Sequence, residues 1–342
     1  MYRSYCGIDF GTTNSAVSVV TQGNIPELIR FGKGKETIPT AIFFPEENTY
    51  CPMFGDDAVA QYINGAVGRF MRSLKRILGT DLMDMKTEVN DIRLSYEDII
   101  LCFLKYLKET AEKQIGKTLD SVVLGRPVHF QDFAPDSDVK AEAVLRKIAV
   151  NAGFKEISFQ YEPLATAFAH ETRLRREQLA CVIDIGGGTS DFSVIRLSPQ
   201  KQNSQNRKED ILANAGIRIG GNDFDRDLSV RGFMPGLGYG TMLKPNPYNG
   251  RILPVPFSPY VTLSEWSSIN SLYAYKEKEA VRKLYEESAE PDKVGVLYEI
   301  IKKELGHTFL NKVEKAKIEL SDNKVIKLSL IHISEPTRRR GI

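Results

Sequence analysis

Residues 8–20 read IDFGTTNSAVSVV, and residues 183–195 read IDIGGGTSDFSVI. Six of the thirteen aligned positions are identical, including the aspartate and the first glycine. Each copy is an apolar strand that ends in an aspartate (Asp9, Asp184), turns through small residues, and leaves as a second strand. So tight a turn needs glycine or small hydroxyl residues, which let the backbone reach unusual φ and come close to a ligand. Successive amides at such a turn form an anion-binding nest, for which phosphate is the natural guest. Asp9 and Asp184 would repel that guest unless a cation lay between them. Magnesium keeps several waters, takes one or two carboxylates and completes its shell with phosphate oxygens. Two facing copies could then hold one polyphosphate from opposite sides.

Taken alone, GGGT is an ordinary hairpin turn; a paired copy with a matching aspartate is what makes the signal specific. No GxxxxGK[ST] occurs, and a strand follows the glycines where a P-loop or a dinucleotide-binding turn would open a helix.

Around the two copies the pattern alternates strands and helices. Strand, turn, strand, a second turn at Gln22, Gly23 and Asn24, and another strand are expected before residue 30. Segments 38–44 and 122–130 read as buried strands, and 56–78 and 96–116 as helices. In the second helix Ile99, Ile100, Phe103, Leu104, Leu107 and Ala111 recur at helical spacing. Residues 139–152 are expected to be helical and to end at Gly153, and residues 162–176 to be helical with Pro163 in the first turn. Residues 200–208 read as a loop tip, and Gly220 and Gly221 introduce a helix near Asp223. Residues 234–259 carry six prolines among glycines and aromatics, which predicts an ordered excursion or a flap. Two further helices are expected over 273–288 and 292–323.

The composition, 42% hydrophobic and 26% charged, is that of a globular protein, and no apolar run is long enough to span a membrane. The start, MYRSYCGIDF, has no apolar signal core, which leads to the expectation of a cytoplasmic address without membrane partners. The four cysteines, Cys6, Cys51, Cys102 and Cys181, are scattered away from metal-ligand spacing and read as reduced, buried thiols. The net charge of +2 comes entirely from residues 328–342, which carry three arginines against one glutamate. Elsewhere basic and acidic side chains are equal in number, so no nucleic-acid footprint remains. The tail segment LSLIHISEPTR looks like read-through of a sequencing adapter, so the genuine sequence is expected to continue differently beyond about Lys327.

The segments GIDFGTTNSAVSVV (7–20), LKRILG (74–79), YEPLATAFAH (161–170), VIDIGGGTSDFSVI (182–195) and IGGNDFD (219–225) resemble those of the actin-like ATPases. Within that group they resemble the nucleotide-binding domain of DnaK-type heat-shock chaperones. VVLGRPVHFQ, GIRIGGNDFDRDL and the excursion after MPGLGYG resemble its YegD-type branch. The resemblance implies an α/β actin-like ATPase fold of two duplicated ribonuclease H-like lobes around a nucleotide cleft. Lobe I would span 1–162 and an incomplete lobe II 163–327, with the Pro-rich insertion at 234–259.

By the same resemblance, ATP or ADP with Mg2+ is the implied cofactor. Gly11, Thr12, Thr13 and Asn14 would line the first phosphate loop, and Gly186, Gly187, Gly188 and Thr189 the second, with Gly220 and Gly221 beyond it. Asp9 and Asp184 would hold the hydrated metal. Lys75 would orient the attacking water and neutralise phosphate charge, Glu162 would contact the metal's water and relay nucleotide state, and Asp191 would position that water or accept its proton. Glu314, Lys317 and Ser321 would contact the nucleoside, while Ile318 stands where the family usually has a base-stacking arginine. The family's later glycine-rich segment and final helix are not found, so half of the nucleoside clamp, an exposed apolar sheet face, poor solubility and weak ATP binding are expected of this chain.

The function implied is a slow, magnesium-dependent ATPase that acts as a chaperone-like, nucleotide-driven switch, with protein clients or co-chaperones as partners. Two alternatives are a nucleotide-binding regulatory module without significant turnover and a small-metabolite kinase of the same superfold. The kinase needs a carboxylate base in a sugar pocket, for which no signature is found. A filament-forming relative is a weaker option.

Overall fold

The computed structural model describes residues 4–326 except 22–24, 131–134, 202–203, 205–206, 218 and 267. The second turn expected at 22–24, part of the loop tip at 200–208 and the adapter-like tail lie outside the described residues.

The first repeated segment folds as two strands, β1 (Tyr5–Phe10) and β2 (Asn14–Val20). Alternation sends Cys6, Ile8, Phe10, Ser15, Val17 and Val19 into the core, as the period of two requires. Two short strands, β3 (Glu27–Leu28) and β4 (Ile38–Pro39), also pair with β2. Next come β5 (Ala41–Pro45), β6 (Met53–Phe54), helix α1 (Gly55–Ile63) and β7 (Gly68–Arg72), which build a small sheet in the order β6-β5-β7.

The helix expected over 56–78 therefore stops after its first third. Gly65 and Gly68, both at positive φ, turn the chain out of α1 and into β7. A 3-10 turn, Leu74–Ile77, follows. The hairpin of β8 (Lys86–Val89) and β9 (Ile92–Ser95) carried no recognised sequence signal.

Helix α2 (Tyr96–Ile115) begins at a reciprocal capping box of Ser95 with Asp98 and ends at Gly116 in the left-handed region. All six of its periodic apolar residues are buried. Strand β10 (Ser121–Arg126), helix α3 (Pro135–Asn151) and strand β11 (Glu156–Tyr161) complete the first sheet, ordered β11-β10-β1-β2-β3. In it β1 runs antiparallel to β2 and parallel to β10, and β10 runs parallel to β11. The main core lies between this sheet and α2 and α3.

Helix α4 (Glu162–Glu171) leads into a second, antiparallel sheet of β12 (Gln178–Ile185), β13 (Ser190–Leu197) and β14 (Ile211–Ile217). Leu164 and Ala167 of α4 pack on Ile195 and Leu197 of β13.

The chain divides into two compact units after Gly220. The second unit opens with α5 (Gly221–Leu228) and enters the Pro-rich excursion, which is ordered. Met242 bridges Pro254, the Leu243 amide donates to the Leu253 carbonyl, and Met234, Leu237, Val255 and Tyr260 are buried. Helices α6 (Ser258–Leu263), α7 (Tyr275–Glu287), α8 (Pro291–Lys302) and α9 (Gly306–Glu319) close this unit around its own core. The single helix expected over 292–323 is thus two helices, broken where Glu304 sits at φ 56.

The four cysteines are free thiols, but only Cys6 is buried; Cys51 and Cys181 are exposed, contrary to the expectation of burial. Cys181 points outward because β12 has one face without a covering layer among the described residues. Among those residues no helix is long and apolar enough to cross a membrane.

Candidate functional site

Each repeated aspartate stands at the end of a strand, immediately before a turn. In the first hairpin Asp9 pairs with Ala16 and Phe10 with Ser15, leaving residues 11–14 to turn the chain. A β-carbon on Gly11 would lie 2.1 Å from the Asn14 carbonyl oxygen, so only glycine fits there. The Thr13 carbonyl is held by the Thr40 amide at 2.8 Å. The Thr13 hydroxyl, by contrast, is buried without a hydrogen-bond partner. A buried polar atom left unpaired typically costs about 1–3 kcal/mol, so this one marks a place built for a further acceptor or donor.

In the second hairpin Asp184 stands directly opposite Asp191, and Ile185 opposite Ser190. Directly opposed residues share a face, so Asp184 and Asp191 emerge side by side. The Gly186 amide donates to the Thr189 carbonyl at 2.8 Å, closing the turn. Gly220 backs it so closely that an added β-carbon would lie 2.6 Å from the Gly188 nitrogen and 2.7 Å from the Gly186 oxygen. The Ser190 hydroxyl donates to the Ile219 carbonyl at 2.7 Å and fixes that backing segment.

An ion pair from two further elements shares the electrostatic field of the two aspartates. Ser73, in the left-handed region at φ 61, bends the chain into the 3-10 turn, where buried Leu74 and Leu78 anchor the segment and aim Lys75 inward. Its ammonium meets Glu162 Oε1 at 2.7 Å, with only 11% and 20% of the two side chains exposed. Glu162 is the first residue of α4, ahead of Pro163. It lies over Gly125 of β10, where an added β-carbon would be 3.3 Å from both Glu162 Cγ and Oε1. The missing side chain at Gly125 is what admits the carboxylate.

The electrostatics join these groups into one cluster. Burial raises the Glu162 carboxyl above its usual value, Lys75 draws it down, and Asp9 and Asp184 push it up again. Asp9 remains reachable by solvent at its strand end, yet the protein packed around it penalises its charge. That burial raises its carboxyl, with Lys75 opposing the rise and Asp184 adding to it. Burial works against the Lys75 ammonium, but Glu162, Asp9 and Asp184 outweigh it and raise its pKa. Lys75, Glu162, Asp9 and Asp184 therefore share one field within the first compact unit.

Among the described residues no group of three or more His, Cys, Asp or Glu is placed to hold an ion unaided. The donors on hand are two strand-end carboxylates, an orphan hydroxyl and the amides of two turns. That set fits a hydrated magnesium ion shared with a polyphosphate, and does not fit an ion enclosed by protein alone.

The nucleoside residues expected from the sequence lie in the second unit. Lys317 of α9 donates to the Gly221 carbonyl at 3.1 Å and to Asp225 at 2.8 Å. Glu314 lies one turn before it, Ser321 just past the helix end, and Ile318 is 61% exposed.

Two residues with a part in this geometry escaped the sequence reading. Gly125 lies inside VVLGRPVHFQ, where nothing in the local pattern marks it. Arg76 lies against the second turn, its Cδ 3.4 Å and its Nε 3.5 Å from where a β-carbon on Gly188 would stand. Its adjacency to Lys75 was the available signal.

The family model described as Hsp70 protein matches residues 5–231, a span that holds both hairpins, Lys75 and Glu162. The chain is 31% identical over 224 residues to the chaperone protein DnaK of Mycoplasmopsis agalactiae, covering 65% of this chain and 34% of that protein. It is 30% identical over 224 residues to the chaperone protein DnaK of Thermosipho melanesiensis, with the same coverage. The chain thus spans about a third of the length of the curated relatives it matches.

Proposed function

Because the chain belongs to the Hsp70 protein family, an actin-like ATPase family, we propose that it binds ATP with magnesium and hydrolyses it slowly, as a nucleotide-driven conformational switch of the chaperone type. The observation that carries this reading is the Lys75–Glu162 ion pair in the joint field of Asp9 and Asp184, each of which precedes a glycine turn.

In this reading the amides of residues 11–14 and 186–189 bind the phosphates, and Asp9 and Asp184 hold the metal. Bound magnesium would neutralise phosphate charge, the main requirement of phosphoryl transfer. Lys75 supplies a further positive charge at the terminal phosphate. Asp191, beside Asp184, positions water, and Glu162 at the head of α4 links the phosphate region to that helix. Glu314, Lys317 and Ser321 take the nucleoside, with Gly220 and Gly221 bordering it. The lobes are assigned to residues 1–162 and 163–327, and the sequence likeness of VVLGRPVHFQ, GIRIGGNDFDRDL and the excursion after MPGLGYG is what favours the YegD-type branch. Protein clients or co-chaperones would be the partners.

Single-turnover hydrolysis tests the proposal. Lys75→Ala is expected to lower the rate about 10²- to 10³-fold, as loss of one preorganised charge-stabilising group typically does, while the protein still binds ATP. Equal slow rates in both proteins would favour the regulatory binding module instead.

A further inference from the structure

The carboxylate cluster contains three acidic side chains, Asp9, Asp184 and Glu162, and Lys75 is the cation that all three influence. The ammonium is not free: it is held at 2.7 Å by Glu162 and is almost closed off from solvent. Resting on the reading above, we propose that Lys75 is the resident counter-ion of this cluster in the nucleotide-free chain. Metal binds weakly at Asp9 and Asp184 while the ammonium stays in place, and tightly once a phosphate draws it away from Glu162.

The argument is one of competing charges. With Lys75 in place the cluster is partly neutralised, and an incoming divalent ion meets both the carboxylates and a nearby ammonium in a partly desolvated site, where charges are weakly screened. A polyphosphate carries more negative charge than Glu162 and offers the ammonium a better partner. Once Lys75 pairs with phosphate, Glu162 loses its neutralising neighbour and becomes an acceptor for water around the metal. Metal and polyphosphate then bind with positive coupling, and the coupling is reciprocal. Gly125 permits this exchange, because it leaves room beside β10 for Glu162 and puts backbone in the place of a competing side chain.

Manganese alone, with no nucleotide, is the probe, followed by electron paramagnetic resonance on the full chain. Lys75→Met is expected to bind Mn2+ about tenfold tighter than wild type, a change of about 1.4 kcal/mol, because it leaves the carboxylates without their internal cation. In chelator the same variant should melt at a lower temperature than wild type and recover when Mn2+ is added. Glu162→Gln should bind Mn2+ more weakly than wild type, since it removes a negative charge and frees Lys75 to turn to Asp9 and Asp184. Should Lys75→Met fail to fold, Lys75→Gln, which is neutral but can still donate to Glu162, gives the same comparison. Mn2+ affinity in the neutral variant equal to or weaker than that of wild type overturns the proposal. The titration contains no ATP, so absence of hydrolysis would sink the ATPase reading without touching this result, and the reverse also holds.

Discussion

Gly220 has no room for a methyl group, and what surrounds it cannot move aside. The atoms within 2.7 Å of its absent β-carbon are backbone atoms of residues 186–188, the second turn itself. The turn's own glycines are placed differently. A β-carbon on either Gly186 or Gly188 would make only ordinary contact, with the Thr189 carbonyl oxygen and the Arg76 Cδ respectively, each at 3.4 Å. Gly220→Ala is therefore expected to destabilise the chain by about 1–3 kcal/mol, the usual cost of overpacking, and to distort the second turn. Gly186→Ala should cost less. Urea unfolding measures the first effect, and the difference in ATP affinity between the two variants measures the second. An equal loss of stability in both would show that the turn does not rest on residue 220.

At the scale of elements, α4 carries Glu162 at its first position and a buried charge network at its last. There Glu171 accepts two hydrogen bonds from Arg207 and one from the Ser198 amide, and Arg207 also pairs with Asp210 at 2.5 Å. Lys201 closes the group by pairing with Asp210, and the Arg207 guanidinium lies 5.1 Å from the Phe168 ring centroid. The network thus fixes the far end of the helix that aims Glu162. Hydrogen bonds from Arg207 hold the Glu171 carboxyl below its usual value. Burial would raise Asp210, but Lys201 and Arg207 overcome it and lower that carboxyl as well.

The sign follows from these directions. Both carboxyls are depressed in the fold, so their stabilisation is present above the ordinary carboxylate range near about pH 4 and is lost as pH falls through the depressed values. Arg207→Met leaves buried Glu171 without its guanidinium and Asp210 with Lys201 alone, and is expected to cost about 3–5 kcal/mol at pH 7. Because burial then favours their protonated forms, the deficit relative to wild type should shrink toward acid pH. Circular dichroism melts across pH 4 to 7 read both effects. A constant deficit would mean that the network does not set the helix.

Elements set by local pattern were legible in the sequence, and those set by distant partners were not. The two hairpins and α2 follow from spacing alone, and the buried face of α2 falls on the six residues its periodicity predicts. The end of α1 and the break between α8 and α9 depend on positive φ at Gly65, Gly68 and Glu304. Glycine announces a turn only weakly, and a glutamate at such an angle does not announce it at all. Lys75 and Glu162 were singled out by family likeness, since nothing local says that residues 87 positions apart will form an ion pair. Arg207 and Gly125 were passed over for the same reason: their importance arises only when α4 packs against sheets made from distant segments.

For the molecule as a whole, the second sheet bears most on behaviour in solution. One face of β12 and β13 packs under α4, while Leu179, Ile183, Ile185, Phe192 and Ile217 are each more than a third exposed. The registry puts Ile183 opposite Phe192 and Cys181 opposite Val194, so the exposed residues form one continuous apolar face. Strand β12 is also the outer strand of this sheet among the described residues. An apolar face joined to an open strand edge favours association between chains. The chain is expected to scatter light increasingly as its concentration rises at neutral pH. Leu179→Lys combined with Ile183→Thr should suppress that scattering and leave the far-ultraviolet circular dichroism unchanged, because both side chains point away from α4. If scattering persists at the wild-type level with the spectrum intact, association proceeds through another surface, and the exposed excursion around Tyr248, 96% exposed, becomes the next to alter.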